Sequence, residues 1–200
     1  MQKSVALFLN GSRPKSMPDI LQYDIVCATD GAYDFLKKNN IRPNFISGDL
    51  DSLQHLPADI KVVHTPDQNF TDFDKIVNIL FEQKYTDIDV YGASGGEQDH
   101  FLGNIHTAIY WKEKVNLTFF DAYGFYFVAK PYTKIHDCLG KTISLVPFSE
   151  VTNITTSGLQ YALAQEDLVF GKRIGTRNKA NHDTVEISFD TGDLLIFVYH

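Results

Sequence analysis

Short apolar runs alternate with amphipathic stretches along the first three-fifths of the chain, and this alternation predicts the fold. Residues 5–9, 25–28, 44–47, 61–64, 88–91 and 115–120 are the apolar runs, each of a length suited to one strand. Between them the period lengthens. Residues 32–38 carry a helical pattern. Phe73, Ile76, Val77, Leu80 and Phe81 recur at the i, i+3, i+4, i+7 and i+8 positions that form one helix face. Phe101, Leu102, Ile105 and Ile109 mark another helix. Strands alternating with helices of this length imply βαβ units and a mainly parallel sheet.

Beyond about Tyr123 the helical period disappears. Short β-type runs at 125–128, 142–146, 151–155, 168–170, 184–189 and 194–199 are separated by turn signals such as Leu139-Gly140, Thr156-Ser157-Gly158 and Thr191-Gly192-Asp193. That pattern predicts a smaller antiparallel sandwich. The expected fold class is α/β: a mainly parallel α/β domain over residues 1–124 and a C-terminal antiparallel β-sandwich over 125–200, packed together with a cleft between them.

Composition narrows the functions open to such a fold. A content of 44% hydrophobic and 22% charged residues is that of a soluble globular protein. No apolar stretch approaches the roughly 20 residues that cross a bilayer, so no membrane partner is expected. The N-terminal apolar run breaks at Asn10-Gly11 and reads as a first strand, not a signal peptide. Cys27 and Cys138 lack metal-type spacing and suit a reducing cytoplasm. The net charge of −7 argues against nonspecific nucleic-acid binding, which needs a basic surface, yet leaves a nucleotide ligand open.

Three acidic motifs follow apolar runs: Gly48-Asp49-Leu50-Asp51-Ser52, Thr71-Asp72-Phe73-Asp74-Lys75 and Gly95-Gly96-Glu97-Gln98-Asp99-His100. Clustered carboxylates repel one another unless something positive joins them, and oxygen ligands suit a hard cation such as Mg²⁺. Asp49 and Asp51 are two apart, so on extended backbone their side chains leave one face. They follow a strand, where open α/β sheets bind ligands. Each motif alone also fits a plain structural reading. The first can be a solvated turn. In the second, Thr71 caps a helix whose first turn favours Asp72 and Asp74, and in the third Asp99 caps the next helix. Three sets in one order shift the balance toward a Mg²⁺–phosphate site. Asp72 then reaches the metal, and Lys75, one turn further on, reaches a phosphate. Gly92-Ala93-Ser94-Gly95-Gly96 lacks the lysine and hydroxyl of a P-loop, but adjacent glycines before a helix let backbone N–H groups approach a phosphate. Asn10-Gly11 and Asp30-Gly31 end two further strands with small or polar tips.

These motifs, together with Ala28-Thr29-Asp30-Gly31-Ala32, Pro66-Asp67-Gln68-Asn69-Phe70, Thr156-Ser157-Gly158-Leu159-Gln160-Tyr161, Gly175-Thr176-Arg177-Asn178 and Gly192-Asp193-Leu194-Leu195, resemble the thiamine pyrophosphokinase family in content and order. The resemblance spans nearly the whole chain. It implies an ATP-binding α/β domain, a thiamine-binding β-sandwich and a cytoplasmic homodimer with its active site at the subunit interface. The implied reaction is Mg²⁺-dependent transfer of pyrophosphate from ATP to the hydroxyl of thiamine, giving thiamine diphosphate and AMP. By the same resemblance Asp30, Asp49, Asp51, Asp72 and Asp99 are the catalytic acids, and Asp49, Asp51 and Asp72 hold Mg²⁺. Asn10, Asp74, Lys75, Gly95, Gly96 and Gln98 are implied at ATP, and Tyr161, Thr176, Arg177 and Asn178 at thiamine. Either Asp99 or Asp74 accepts the hydroxyl proton. The chain departs from the family at Glu97, where many members carry arginine, so either another cation, Lys75 or Arg13, compensates or the nucleotide binds differently. Tyr161 stands where tryptophan is frequent, and Arg177 replaces a usual serine. Two rivals stay open: a noncatalytic thiamine or nucleotide sensor, and another Mg²⁺-dependent nucleotide-using transferase.

Overall fold

Val5, Ala6, Leu7 and Phe8 are all inaccessible to solvent, the two-sided burial expected at the centre of a parallel sheet. They lie in β1 (Ser4–Phe8) of a computed structural model that describes residues 4–50 and 59–200. The chain divides into two units, Met1–Ala122 and Tyr123–His200. In the first, β1 is followed by β2 (Ile25–Thr29), α1 (Tyr33–Lys38), β3 (Phe45–Gly48), β4 (Lys61–His64), α2 (Asp72–Glu82), β5 (Asp87–Tyr91), α3 (Gln98–Trp111) and β6 (Asn116–Phe120). Every ladder among these strands is parallel. The strand order is β4-β3-β2-β1-β5-β6. The chain therefore winds outward from β1 to β4, then returns to the other side of β1 as β5. Connections leave β1 and β5 in opposite directions, which opens a crevice at their carboxyl ends.

Helices cover both faces. Ala6 and Phe8 pack with Ala28, Ile46 and Leu36 of α1, and Phe120 borders this cluster. Its neighbour Phe119 points to the other face, where Phe73 of α2 packs against it edge-on. The helix α2 buries Phe73, Ile76, Val77 and Leu80 as its periodicity predicts, and Thr71 Oγ1 accepts from the Asp74 N–H at 3.2 Å as its N-cap. The helix α3 differs from expectation. It buries Ile105, Ala108 and Trp111, while Leu102 is 57% exposed. Trp111 anchors it, its ring tilted against Phe81 with centroids 5.4 Å apart and its indole N–H donated to Asp74 at 2.8 Å. No helix among the described residues is long and apolar enough to cross a membrane.

The second unit is antiparallel: β7 (Gly124–Val128), β8 (Tyr132–Ile135), β9 (Thr142–Ser157), β10 (Glu166–Val169), β11 (Gly175–Lys179), β12 (Val185–Ser188) and β13 (Thr191–Tyr199). The runs at 142–146 and 151–155 prove to be one strand, β9, which continues through Pro147. Its first part pairs with β11 and β13, and its last residues pair with β12. A register shift in β13 between Gly192 and Asp193 lies close to the proline, and Ser149 and Asn153 take positive φ. Ile143, Leu145, Val151, Ile154, Leu194 and Ile196 form the core of this unit. Cys27 and Cys138 are both free and buried.

Two details of the first unit bear on its chemistry. Asp30, 4% exposed, extends its carboxylate across the end of β3. There Oδ2 accepts from the Leu50 N–H at 2.8 Å and Oδ1 from the Gly31 N–H at 2.7 Å. Gly48 makes room for it: a Cβ there would stand 2.3 Å from Asp30 Cγ. Leu50, held by that bond, has φ of 73°, in the left-handed region that a side chain disfavours. Below the sheet, Tyr23 donates its O–H to Asp89 at 2.6 Å and meets the Tyr91 hydroxyl at 2.7 Å. Burial pushes the Asp89 carboxyl up, against the opposing effect of the Tyr23 hydrogen bond, and pushes Tyr91 up to about 12.

Gly48→Ala is expected to cost about 1–3 kcal/mol in chemical unfolding, as overpacking does, by driving the Asp30 carboxylate off Leu50. Wild-type stability would show that the β3 exit has slack. Asp89 holds its proton more tightly when folded than unfolded, so its contribution is present below the unfolded pKa and is lost as pH rises through the folded one. The melting temperature of Asp89→Asn should therefore gain on wild type from pH 4 to pH 7, and a pH-independent difference would contradict this.

Candidate active site

A cavity of about 630 Å³ lies at the carboxyl ends of β1, β2 and β5, lined entirely by residues of the first unit. Its floor is the switch point of the sheet. There the loops after β1 and β5 are joined by backbone hydrogen bonds: Leu9 N–H to Tyr91 O at 2.8 Å, Gly11 N–H to Gly92 O at 2.8 Å and Ser12 N–H to Ser94 O at 2.7 Å. Asn104 of α3 donates to Ala93 O at 2.8 Å and holds the second loop from the other side. Gly95, at φ +73°, could carry no side chain here, because its Cβ would stand 2.2 Å from Ser12 Oγ.

Beyond Gly95-Gly96 begins α3. Its N-cap, Glu97, makes no side-chain capping bond. The His100 N–H is taken by Asp99 Oδ1 at 2.9 Å, so the N–H groups of Gln98 and Asp99 and the positive end of the helix dipole are what this turn offers at the cavity rim formed by Gly96, Glu97, Asp99 and His100. An uncapped helix start after two glycines suits an anionic group such as phosphate.

The opposite wall is acidic. Asp30, Asp49 and Asp72 share the cavity with Glu97 and Asp99. Burial raises the Asp30 carboxyl pKa, the amides of Leu50 and Gly31 oppose it, and the charges of Asp72 and Asp49 push it up further. Gln68 donates to Asp49 Oδ2 at 3.1 Å. Asp51 lies outside the described residues. Carboxylate oxygens converging on one cavity are the donor set that a hard divalent cation takes, so the residues present fit Mg²⁺. At the exposed rim, ligand atoms of Glu97, Asp99 and His100 lie within 4.8 Å of one another, the one such group among the described residues.

Of the positions singled out in the sequence, Asn10, Asp30, Asp49, Asp72, Lys75, Gly95, Gly96 and Asp99 line the cavity. Asp74 and Gln98 do not. The Asp74 carboxylate is engaged by Trp111, and Gln98 Nε2 donates back to Gly96 O at 3.4 Å. Arg13 lies outside the lining as well; its guanidinium stacks 4.4 Å over the Phe35 ring and donates to Gly11 O, and burial lowers its pKa. Lys75 reaches Asp72 Oδ1 at 2.7 Å, Thr65 O at 2.7 Å and Asp67 O at 3.1 Å. Sequence reasoning passed over Gln68, Phe70, Ser94, His100 and Asn104 as lining residues. Phe70, 53% exposed, gave a signal in its position within the Pro66–Lys75 motif, beside acids that drew the reading to themselves.

In the second unit Tyr161 and Asn178 are neighbours. Asn178 is buried, with Oδ1 accepting from the Tyr161 N–H at 3.1 Å and the Lys179 N–H at 2.9 Å, and Nδ2 donating to Tyr161 O at 2.7 Å. Its amide thus clamps the backbone of Tyr161, whose side chain is 67% exposed. Thr176 and Arg177 are exposed at a register shift in β11; Arg177 has φ of 57° and donates its N–H to Ser144 Oγ at 2.9 Å.

Residues 20–119 match the family model of the thiamin pyrophosphokinase catalytic domain, and residues 132–194 that of the thiamin pyrophosphokinase vitamin B1 binding domain. Thiamin pyrophosphokinase 1 of Caenorhabditis elegans is 29% identical over 217 aligned residues, covering 97% of this chain and 88% of its own length. Thiamine pyrophosphokinase of Bacillus subtilis is 28% identical over 138 residues, or 67% of this chain and 64% of its own. Among solved structures, thiamine pyrophosphokinase from Bacillus subtilis superposes with a TM-score of 0.80 at 24% identity, covering 98% of this chain and 99% of that one. Thiamin pyrophosphokinase from Candida albicans gives 0.84 at 17%, covering 99% and 89%. The structural likenesses show a shared fold, and the two family models together take in most of the sequence: the chain belongs to the thiamin pyrophosphokinase family.

Proposed function

We propose that this chain transfers the pyrophosphoryl group of ATP to the hydroxyl of thiamine, giving thiamine diphosphate and AMP. The observation that carries this reading is the cavity at the switch point, where an uncapped helix start behind two glycines faces a wall of carboxylates. The helix start favours the polyphosphate, and the carboxylates favour a cation that accompanies it. Asp49, Asp51 and Asp72 would hold Mg²⁺, which when bound offsets negative charge on the phosphates.

The remaining work falls to positioning. Asn10, Gly95 and Gly96 border the nucleotide, and Asp30 braces the backbone at Leu50 beside Asp49. The thiamine oxygen attacks the β-phosphorus, the bond from the β-phosphorus to the α–β bridging oxygen breaks, and AMP leaves opposite with that oxygen. The hydroxyl proton passes to Asp99, which lines the cavity, in preference to Asp74, which is bonded to Trp111. The unit over residues 1–124 is the ATP-binding catalytic domain in this reading, and residues 125–200 form a thiamine-binding β-sandwich. There Tyr161 offers its ring for stacking, Asn178 fixes it, and Thr176 and Arg177 lie alongside. The reading includes a cytoplasmic homodimer with the active site at the subunit interface.

Incubation with ATP, Mg²⁺ and thiamine should release AMP and thiamine diphosphate in equal amounts. ADP or inorganic pyrophosphate would point to another nucleotide-using transferase, and calorimetric binding without turnover would point to a sensor. Asp49→Asn and Asp72→Asn should fold and lose about 100-fold or more in turnover; near-wild-type rates in both would overturn the assignment of these acids.

A further inference from the structure

Lys75 is the side chain that a phosphate ligand would be expected to recruit, since it is the only lysine or arginine among the described residues lining the cavity. Its geometry argues otherwise. An ammonium has three N–H donors and no acceptor. Those donors find three acceptors within the protein: Thr65 O at 2.7 Å, Asp67 O at 3.1 Å and Asp72 Oδ1 at 2.7 Å. The side chain is only 10% exposed. A phosphate could gain a bond from Lys75 only by taking it from one of these partners.

The partners are informative in themselves. Thr65 and Asp67 belong to the segment that leaves β4, and Asp72 opens α2. Asp67 Oδ1 in turn accepts from the N–H and the Nδ2 of Asn69, at 2.9 and 2.8 Å, and Thr71 caps α2. The loop 65–71 is thus fixed at both ends around one ammonium. It presents Gln68 to Asp49 and the exposed Phe70 to the cavity. Lys75 consequently touches one acid of the site directly and reaches a second through the loop.

We propose that Lys75 is a positioning residue, holding the Asp72 carboxylate and the 65–71 loop on the cavity wall, and that it makes no contact with the phosphates. The claim rests on the nucleotide reading above for what enters the cavity, while the bonding of Lys75 can be tested without it. An arginine would not replace this lysine: a planar, larger guanidinium cannot donate to three acceptors converging on one nitrogen, although it binds phosphate readily.

The wild-type protein is treated with an amine-acylating reagent, and the extent of labelling at each lysine is read by mass spectrometry. Lys75 should react at least about tenfold more slowly than exposed Lys15, at the same rate with and without ATP. Free labelling without ATP and protection by ATP would overturn the proposal. In steady-state kinetics, Lys75→Met and Lys75→Arg should both lose about tenfold or more in kcat while KM for ATP stays within about twofold. A large rise in KM for Lys75→Met that Lys75→Arg restores would assign the lysine to phosphate instead. If the wild type makes no AMP, the reaction proposed above fails, and the labelling still decides how Lys75 is held. The same labelling decides the matter if a variant does not fold.

Discussion

Repulsion among carboxylates gathered at the ends of neighbouring strands is the constraint around which this first unit is arranged. Asp30, Asp49 and Asp72 share one cavity, and the charges of the last two already raise the Asp30 carboxyl pKa. Unscreened like charges in a partly buried site cost free energy unless each finds donors or a counter-charge. The structure supplies these one by one: two backbone amides for Asp30, the Gln68 amide for Asp49 and the Lys75 ammonium for Asp72. Each device also fixes a piece of backbone. Asp30 holds Leu50 in a left-handed conformation, and Lys75 holds the loop after β4. Charge and shape at the cavity wall are therefore one problem with one solution.

The sheet makes this crowding possible. Parallel strands bring all their carboxyl ends to one side, and reversal of the winding direction between β1 and β5 parts the loops above them. Here the gap is bridged by a short backbone ladder from Leu9 to Ser12 against Tyr91 to Ser94. The Ser12 side chain of the facing loop leaves no room for a side chain at Gly95, just as the Asp30 carboxylate leaves none at Gly48. Glycine is needed at these two places because side chains occupy the space, Ser12 at the first and the Asp30 carboxylate at the second, and Gly95 also takes a positive φ.

Much of this was legible in the sequence, for reasons that also mark its limits. The helix α2 was readable because its apolar face packs on the sheet in step with the 3.6-residue period. The helix α3 was readable as a helix but not in its buried face, because Trp111, outside the apolar set that was read, takes its buried position by reaching a polar partner on another helix. That same bond removes Asp74 from the cavity, a consequence of tertiary contact that no local pattern carries. The strands β8 and β11 escaped notice because their sequences, Tyr-Thr-Lys-Ile and Gly-Thr-Arg-Asn-Lys, are short and polar and owe their strand state to neighbouring ladders. Asn178 was readable as important by resemblance, but not in its role, since its amide is spent on the Tyr161 backbone.

Position 97 shows how the site's electrostatics must then be distributed. Glu97 stands where the family resemblance leads one to expect arginine, and the two cations that the sequence offers in its place are both engaged within the protein. Arg13 is stacked on Phe35 outside the cavity lining, and Lys75 is saturated by protein acceptors. A polyphosphate entering this cavity thus meets more acid than base among the described lining residues. Among the described residues, favourable interaction then rests on backbone N–H groups at the start of α3, and on the proposed reading a cation that arrives with the nucleotide adds to it. Backbone donors do not titrate and keep their direction, so such a site trades the long reach of an arginine for fixed geometry. On the proposed reading, charge neutralisation during transfer depends on the metal more heavily than in a relative that retains the arginine.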